Sequence, residues 1–242
     1  EAIAYTYHDI GNVYRERGYL DEALEYYNYY LKFWQERGNL RSRVSWLLYN
    51  IGEVYRDQGK YKEAQEQFEK AMQLFEQMQL PYGIAHVKIE LGRIGVRLGP
   101  ADVAIRNVEE ALSILRKVKG ETGEAYALGA LGQIYLYLGQ LDQALNYLCE
   151  ARKKEESLGS TKGVAAAFHQ IGLVYEGRGK QLRLAGASDA DICAGFHEAR
   201  ENILQAQRFY AQIKAQPNIH GLQDDATRID QACSECKETQ PA

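Results

Sequence analysis

Five glycines set the frame of this chain. Gly11 (in IGNVY), Gly52 (IGEVY), Gly92 (LGRIG), Gly132 (LGQIY) and Gly172 (IGLVY) stand 41, 40, 40 and 40 residues apart. A second glycine follows each at +7, as Gly18, Gly59, Gly99, Gly139 and Gly179. Alanine occupies +12 in the first four units (Ala23, Ala64, Ala104, Ala144), and a large residue occupies +16 (Tyr27, Phe68, Val108, Leu148). Position +19 carries Tyr30, Ala71, Ala111 and Ala151. Self-similarity at a fixed period of this size restricts the chain to an array of one structural unit.

Each unit reads as two helices. Apolar residues recur at helical spacing before the +7 glycine: Leu48, Ile51, Val54 and Tyr55 in unit two, Leu128, Leu131, Ile134 and Tyr135 in unit four. The +7 glycine predicts a helix stop, because it takes the left-handed conformation without a Cβ penalty. Pro100 after Gly99 reinforces one such stop. A second helix is expected to start near Leu20, Tyr61, Ala101 or Leu141 and to carry the alanine–large–alanine face. The inner glycines and the alanines are small where two helix backbones cross, and the large residues fill the space beside them. With only 4 prolines in 242 residues, little interrupts helix anywhere.

The pattern from Tyr7–Ile10–Gly11–Tyr14–Ala23–Tyr27–Tyr30 in unit one to Phe168–Ile171–Gly172–Tyr175 in unit five resembles the tetratricopeptide repeat family. That resemblance implies an all-α fold: a right-handed superhelix of antiparallel helix pairs, forming one solenoid domain over 1–242. Repeats fall at about 1–40, 41–80, 81–120, 121–160 and 161–215, with a capping helix at about 219–238. The family's usual period is about 34 residues, so each helix here is expected to be longer by about one turn. Forty-residue versions are similar to those of kinesin light chains, Rap-type regulators and the sensor arms of bacterial signalling ATPases. HEAT repeats share the period without the glycine and alanine pattern. Unit three is the weakest copy, with Lys88 at a usually apolar position and Gly95 replacing the tyrosine. In unit five the alanine–large–alanine face resumes only at Ala199, Ile203 and Ala206, which predicts an insertion near 180–194. A loop at Ala185–Ala187 and a restart capped by Ser188 or Asp189 would accommodate it.

A net charge of −4 argues against nucleic acid, which requires a concentrated basic face. No apolar run is long enough for a transmembrane helix, and no signal peptide opens the chain. The first residue, Glu1, suggests a processed chain or a piece of something longer. The scatter of Cys149, Cys193, Cys233 and Cys236 is unlike a secreted disulfide framework and suggests a reducing, cytoplasmic setting.

In the family, ligands lie on the concave surface lined by the first helix of each unit. Counted from each inner glycine, the groove positions are −6, −3, −2, +1, +4 and +5. Unit one then offers Tyr5, His8, Asp9, Asn12, Arg15 and Glu16, and unit two offers Trp46, Tyr49, Asn50, Glu53, Arg56 and Asp57. Unit three offers His86, Glu90, Arg93 and Arg97, unit four Tyr126, Gln133, Leu136 and Tyr137, and unit five His169, Gln170 and Glu176. The early units are polar with aromatic anchors at Trp46 and Tyr49. The fourth is apolar, with Gly129 and Ala130 leaving space. An alternative reading is that Arg15, Arg56 and the nearby acids only neutralise one another on a solvated face.

The family's carboxylate-gripping variant would need strong cations where this chain has His8, His86 and Glu90 around Asn12 and Asn50, so that clamp is not expected. No nucleophile, metalloprotease or phosphate-loop motif is present, which argues for a non-enzymatic chain with no cofactor. Cys193, His197, Cys233 and Cys236 offer a candidate zinc set, against which stands the plain reading of incidental cysteines on a terminal helix. Tyrosines crowd the first thirty residues. Tyr7, Tyr14, Tyr27 and Tyr30 sit in core register, and the rest are expected to cover either an upstream repeat or a second molecule. The expected function is a protein-interaction scaffold that binds a peptide or protein segment, within a larger signalling or regulatory protein. The alternative is a small-molecule-sensing arm of a signalling ATPase or transcription regulator.

Overall fold

The computed structural model describes residues 2–36, 41–213 and 218–238, with side chains over 7–36, 41–213 and 222–235; the side chains of Tyr5 and Cys236 fall outside that set. The chain divides by its internal contacts into two compact units, Glu1–Gly123 and Glu124–Ala242. The first contains α1 (Ala2–Glu16), α2 (Leu20–Glu36), α3 (Arg41–Asp57), α4 (Tyr61–Gln77), α5 (Pro81–Leu98) and α6 (Ala101–Lys117). The second contains most of α7 (Glu121–Tyr137), then α8 (Leu141–Ser157), α9 (Thr161–Leu184), α10 (Asp189–Gln212) and α11 (Asn218–Glu238). Among the described residues there is no strand.

In the first unit α1 packs on α2, α3 on α4 and α5 on α6, and each pair joins the next through α2–α3 and α4–α5. The repeated residues explain why. A Cβ built on Gly52 would lie 2.6 Å from the Phe68 ring, and one on Gly132 would lie 2.5 Å from Leu148. Gly11 stands in the same relation to Tyr27, and Gly172 to Ile203. The inner glycine is therefore the space into which the large +16 residue of the partner helix inserts. Tyr27, Phe68, Val108 and Leu148 are buried as a result, with Ala23, Ala64, Ala104 and Ala144 beside them. Full burial of each large side chain contributes about 1.5–3 kcal/mol.

The turn after α3 shows how a pair closes. Gly59 has φ +75°, its amide bonds to the Arg56 carbonyl, and the Lys60 amide bonds to the Tyr55 carbonyl. These bonds satisfy carbonyls that the helix end would otherwise leave open. Two of the expected left-handed stops are absent. Gly99 is extended (φ −159°, ψ −161°), as the proline that follows disfavours the helical region there. Gly179 ends nothing: it is buried inside α9, where a Cβ on Gly195 of α10 would come within 3.1 Å of its backbone. The inserted residues lengthen both helices to 24 residues, against 17 for α8, and this glycine pair lets the two long backbones cross. Ser188 caps α10 by accepting the Asp191 amide at 3.2 Å.

The extra tyrosines of the first hairpin find ring partners within it. Tyr14 stacks on Tyr26 with centroids 5.3 Å apart, Tyr7 contacts Tyr26 and Tyr29, and Tyr19 meets Tyr14 edge-on. Tyr19 and Tyr29 remain exposed.

Candidate functional site

Within the first unit, the groove positions of α1, α3 and α5 form a continuous polar row. Arg15 of α1 donates to Glu53 of α3, and Arg56, one turn further along α3, donates to Glu90 of α5. Arg56 also approaches Glu53 at 3.8 Å and Asp57 at 2.7 Å, and Arg93 donates to the other Glu90 oxygen at 3.1 Å. Three guanidiniums and two carboxylates thus alternate across three helices, with Asp57 at the side. Glu90 is completely buried and Glu53 is 9% exposed. The reading of cheap pairs on a solvated face therefore fails, because burial makes each charge depend on its neighbours. Burial pushes the Glu53 carboxyl above its usual range, with Arg15 and Arg56 opposing. Burial also works against the Arg15 cation, yet Glu53 beside it holds that guanidinium above its ordinary value.

A second row lies beside the first. The Asn50 amide donates to His8 Nε2 at 3.0 Å, and His8 Nδ1 lies 3.3 Å from Asp9 Oδ1 and 3.4 Å from the Asn12 amide nitrogen. Asn12 lies against the same imidazole, and its carbonyl accepts the Tyr27 hydroxyl at 2.6 Å. Burial pushes that phenol up to about 12. His8, Asn12 and Asn50 are accordingly joined to one another, and Glu90 is held by arginines.

Next to these rows sits an aromatic cluster. Trp46 touches Tyr49 (centroids 5.6 Å), Phe75 (4.9 Å), Tyr82 (6.3 Å) and His86 (5.9 Å). Tyr82 lies 4.5 Å from His86, one turn away on α5. Tyr49 is buried against Phe68, Trp46 and His86 are half-buried, and Tyr82 is 40% exposed. Burial lowers the His86 pKa, with Glu90 opposing, so the ring favours its neutral form. Tyr82 escaped the sequence reading because it precedes the counted register; its spacing of four from His86 was the available signal. Arg97, counted with the groove, stacks over Tyr61 at 5.3 Å.

In the second unit, Tyr126 and Gln133 of α7 are half-buried and Tyr137 is exposed, and the space beside Gly129 is open to any Cβ. His169 of α9 is taken by α11: its Nε2 lies 2.6 Å from Asp225. Arg228, also on α11, grips Glu176 with two bonds of 2.7 Å, and Lys180 adds a third contact at 2.6 Å. Against the cost of burial, those bonds hold Glu176 below the usual carboxylate range. Asp225 and Arg228 carried no periodic signal in the sequence. Cys193 and Cys233 are both buried in the core that α9, α10 and α11 share. Among the described residues no group of three or more His, Cys, Asp or Glu side chains is placed to hold a metal ion, Cys236 lying outside them. No described helix is long and apolar enough to cross a membrane.

A family model described as tetratricopeptide repeat matches residues 2–77 and 83–156. BtubC (BKLC) from P. vanneervenii superposes with a TM-score of 0.60 at 20% identity, over 88% of this chain and 82% of that one. A Rap protein complexed with Competence and Sporulation Factor gives 0.67 at 13% identity, over 96% and 76%. The Rap conjugation gene regulator of plasmid pLS20, in complex with the Phr* peptide, gives 0.59 at 14% identity, over 97% and 74%. No curated protein sequence matches.

Proposed function

The chain belongs to the tetratricopeptide repeat family of protein-interaction modules, and on that premise we propose that it is a non-enzymatic scaffold binding a peptide or protein segment on the face made by α1, α3 and α5, the first helices of the repeats in the compact unit Glu1–Gly123. The observation that carries this reading is the half-open cluster of Trp46, Tyr82 and His86 beside a charge row that is internally neutralised. Rigid aromatic side chains supply much of the energy in such interfaces, at low entropic cost. The arginines are engaged with Glu53 and Glu90, so the ligand is read as one that inserts an apolar or aromatic side chain rather than one gripped by its terminal carboxylate.

The candidate contacts are Trp46, Tyr49, Tyr82 and His86, with His8, Asn12 and Asn50 offering amide-like partners to an extended backbone. Glu53, Arg56 and Arg93 hold the helices that present them. On α7, Tyr126, Gln133 and Tyr137 form a separate candidate surface. The Phr* peptide complex of the Rap regulator supports a peptide as ligand, and the Rap neighbours support a place in a signalling or regulatory protein. A non-enzymatic role fits histidines engaged by Asn50 and Asp225 or packed among rings. The scattered cysteines favour the cytoplasm.

Peptides selected on the whole chain from a random displayed library test this reading. Trp46→Ala and Tyr82→Ala should each weaken the selected peptides by on the order of tenfold or more. Unchanged affinity in the double variant would place the binding face elsewhere.

A further inference from the structure

Units one and four each close their outer hairpin face with a stacked tyrosine pair. Tyr14 and Tyr26 lie 5.3 Å apart at an interplanar angle of 12°, and Tyr135 and Tyr147 lie 5.4 Å apart at 2°. These are the +3 and +15 positions of their units. In unit three the same two positions are Gly95 and Asn107. In place of the rings the structure has a cleft of about 320 Å³ between α4, α5 and α6, at the small end of the range for ligand pockets. Its floor is Leu91, Ile94 and Ala104, and its rim carries Leu98, Val103 and Glu69.

The rim differs from that of the other units as the floor does. Val103 is 46% exposed at position +11, where the other early units carry Glu22, Glu63 and Gln143. An exposed valine at a position otherwise polar adds apolar lining where the rings are missing. The polar groups also match. Asn107 lines the cleft, and Glu69 at its mouth accepts one hydrogen bond from Gln65 at 2.7 Å, with acceptor capacity beyond that bond. A phenol hydroxyl would donate to either, and an anion would be repelled by Glu69.

We infer that this cleft is a second binding site, which takes the tyrosine side chain of a partner polypeptide in place of the ring that units one and four supply internally. The site lies on the α4–α5–α6 face and does not depend on the aromatic cluster at Trp46.

Titration of the full chain with p-cresol, with a glycine-flanked tyrosine pentapeptide and with phenyl phosphate tests the assignment, read at the methyl resonances of Leu91, Ile94, Leu98 and Val103. Saturable shifts with p-cresol and the pentapeptide, and none with phenyl phosphate, are expected. Gly95→Tyr and Asn107→Tyr restore residues native to units one and four, and a Cβ on Gly95 meets Ala104 only at an ordinary 3.6 Å. Both variants should keep their dispersed methyl spectra and weaken p-cresol binding by on the order of tenfold or more. Absence of saturable shifts with p-cresol overturns the site, as do shifts that persist in both filled variants. Binding of p-cresol without the pentapeptide overturns the polypeptide partner, and binding of phenyl phosphate overturns the role given to Glu69.

Discussion

Arg56 of α3 donates into the fully buried carboxylate of Glu90 on α5. The pair joins two repeats through charge at a depth where neither group has enough water to stand alone. Arg93 completes the Glu90 carboxylate from the same helix, and Glu53 reaches back toward Arg15.

Breaking this pair from one side is therefore costly. Arg56→Ala and Glu90→Ala are each expected to lose about 3–5 kcal/mol, because each leaves a buried charge without its main counterion. The double replacement Arg56→Met with Glu90→Leu should cost clearly less than the sum of the single changes. Urea unfolding of the four proteins, compared as a double-mutant cycle, measures the difference.

The helix crossings tolerate no added volume. Ala64 is fully buried, and a Cβ on Gly52 collides with the Phe68 ring. Ala64→Leu and Gly52→Ala are each expected to destabilise by about 1–3 kcal/mol. An unchanged melting temperature in either variant would contradict the packing.

Two loop residues hold the opposite opportunity. Gln79 and Lys119 take φ +52° and +55°, a region that costs a residue with a side chain about 1–2 kcal/mol. Glycine relieves that cost at an entropic expense of about 0.5–1 kcal/mol. Lys119→Gly should thus gain roughly 0.5–1 kcal/mol, which thermal melts of the variant will register.

Acid should act on the α9–α11 contact first. Glu176 is held below the usual carboxylate range, so its contribution is complete above the unfolded value of about 4.3 and is lost as pH falls through the folded value. Glu53 has the opposite sign. Its raised value gives a contribution complete below the unfolded value and lost as pH rises through the folded one. Hydrogen exchange in α11 should accelerate as pH falls below about 4, after correction for the intrinsic rate. Glu176→Gln should flatten that dependence, and Glu53→Gln should leave it in place.

The hairpins were legible in the sequence because their contacts are local. Gly52 meets Phe68 sixteen residues away, inside one helix pair, so a repeated spacing reports the contact directly. The groove residues were legible as positions and not as partners. Arg56 and Glu90 are thirty-four residues apart on different hairpins, and no spacing within one unit reveals that their side chains meet. Gly179 shows a further limit, since glycine serves equally to end a helix and to let two backbones touch, and only the position of Gly195 decides between them. Asp225 and Arg228 lie on a helix that repeats nothing, so their hold on His169 and Glu176 left no periodic trace.

The alternating charges also act as an address. Glycine, alanine and the large residue are common to the units and would let any hairpin stack on any other. Arg15 finds Glu53 only because unit two follows unit one, and Arg56 finds Glu90 only because unit three follows unit two. If units two and three were exchanged, Arg15 would face Arg93, and two like charges would meet in a partly buried row without the carboxylate that separates them. The letters shared by the repeats build the stack, and the buried charges number its steps.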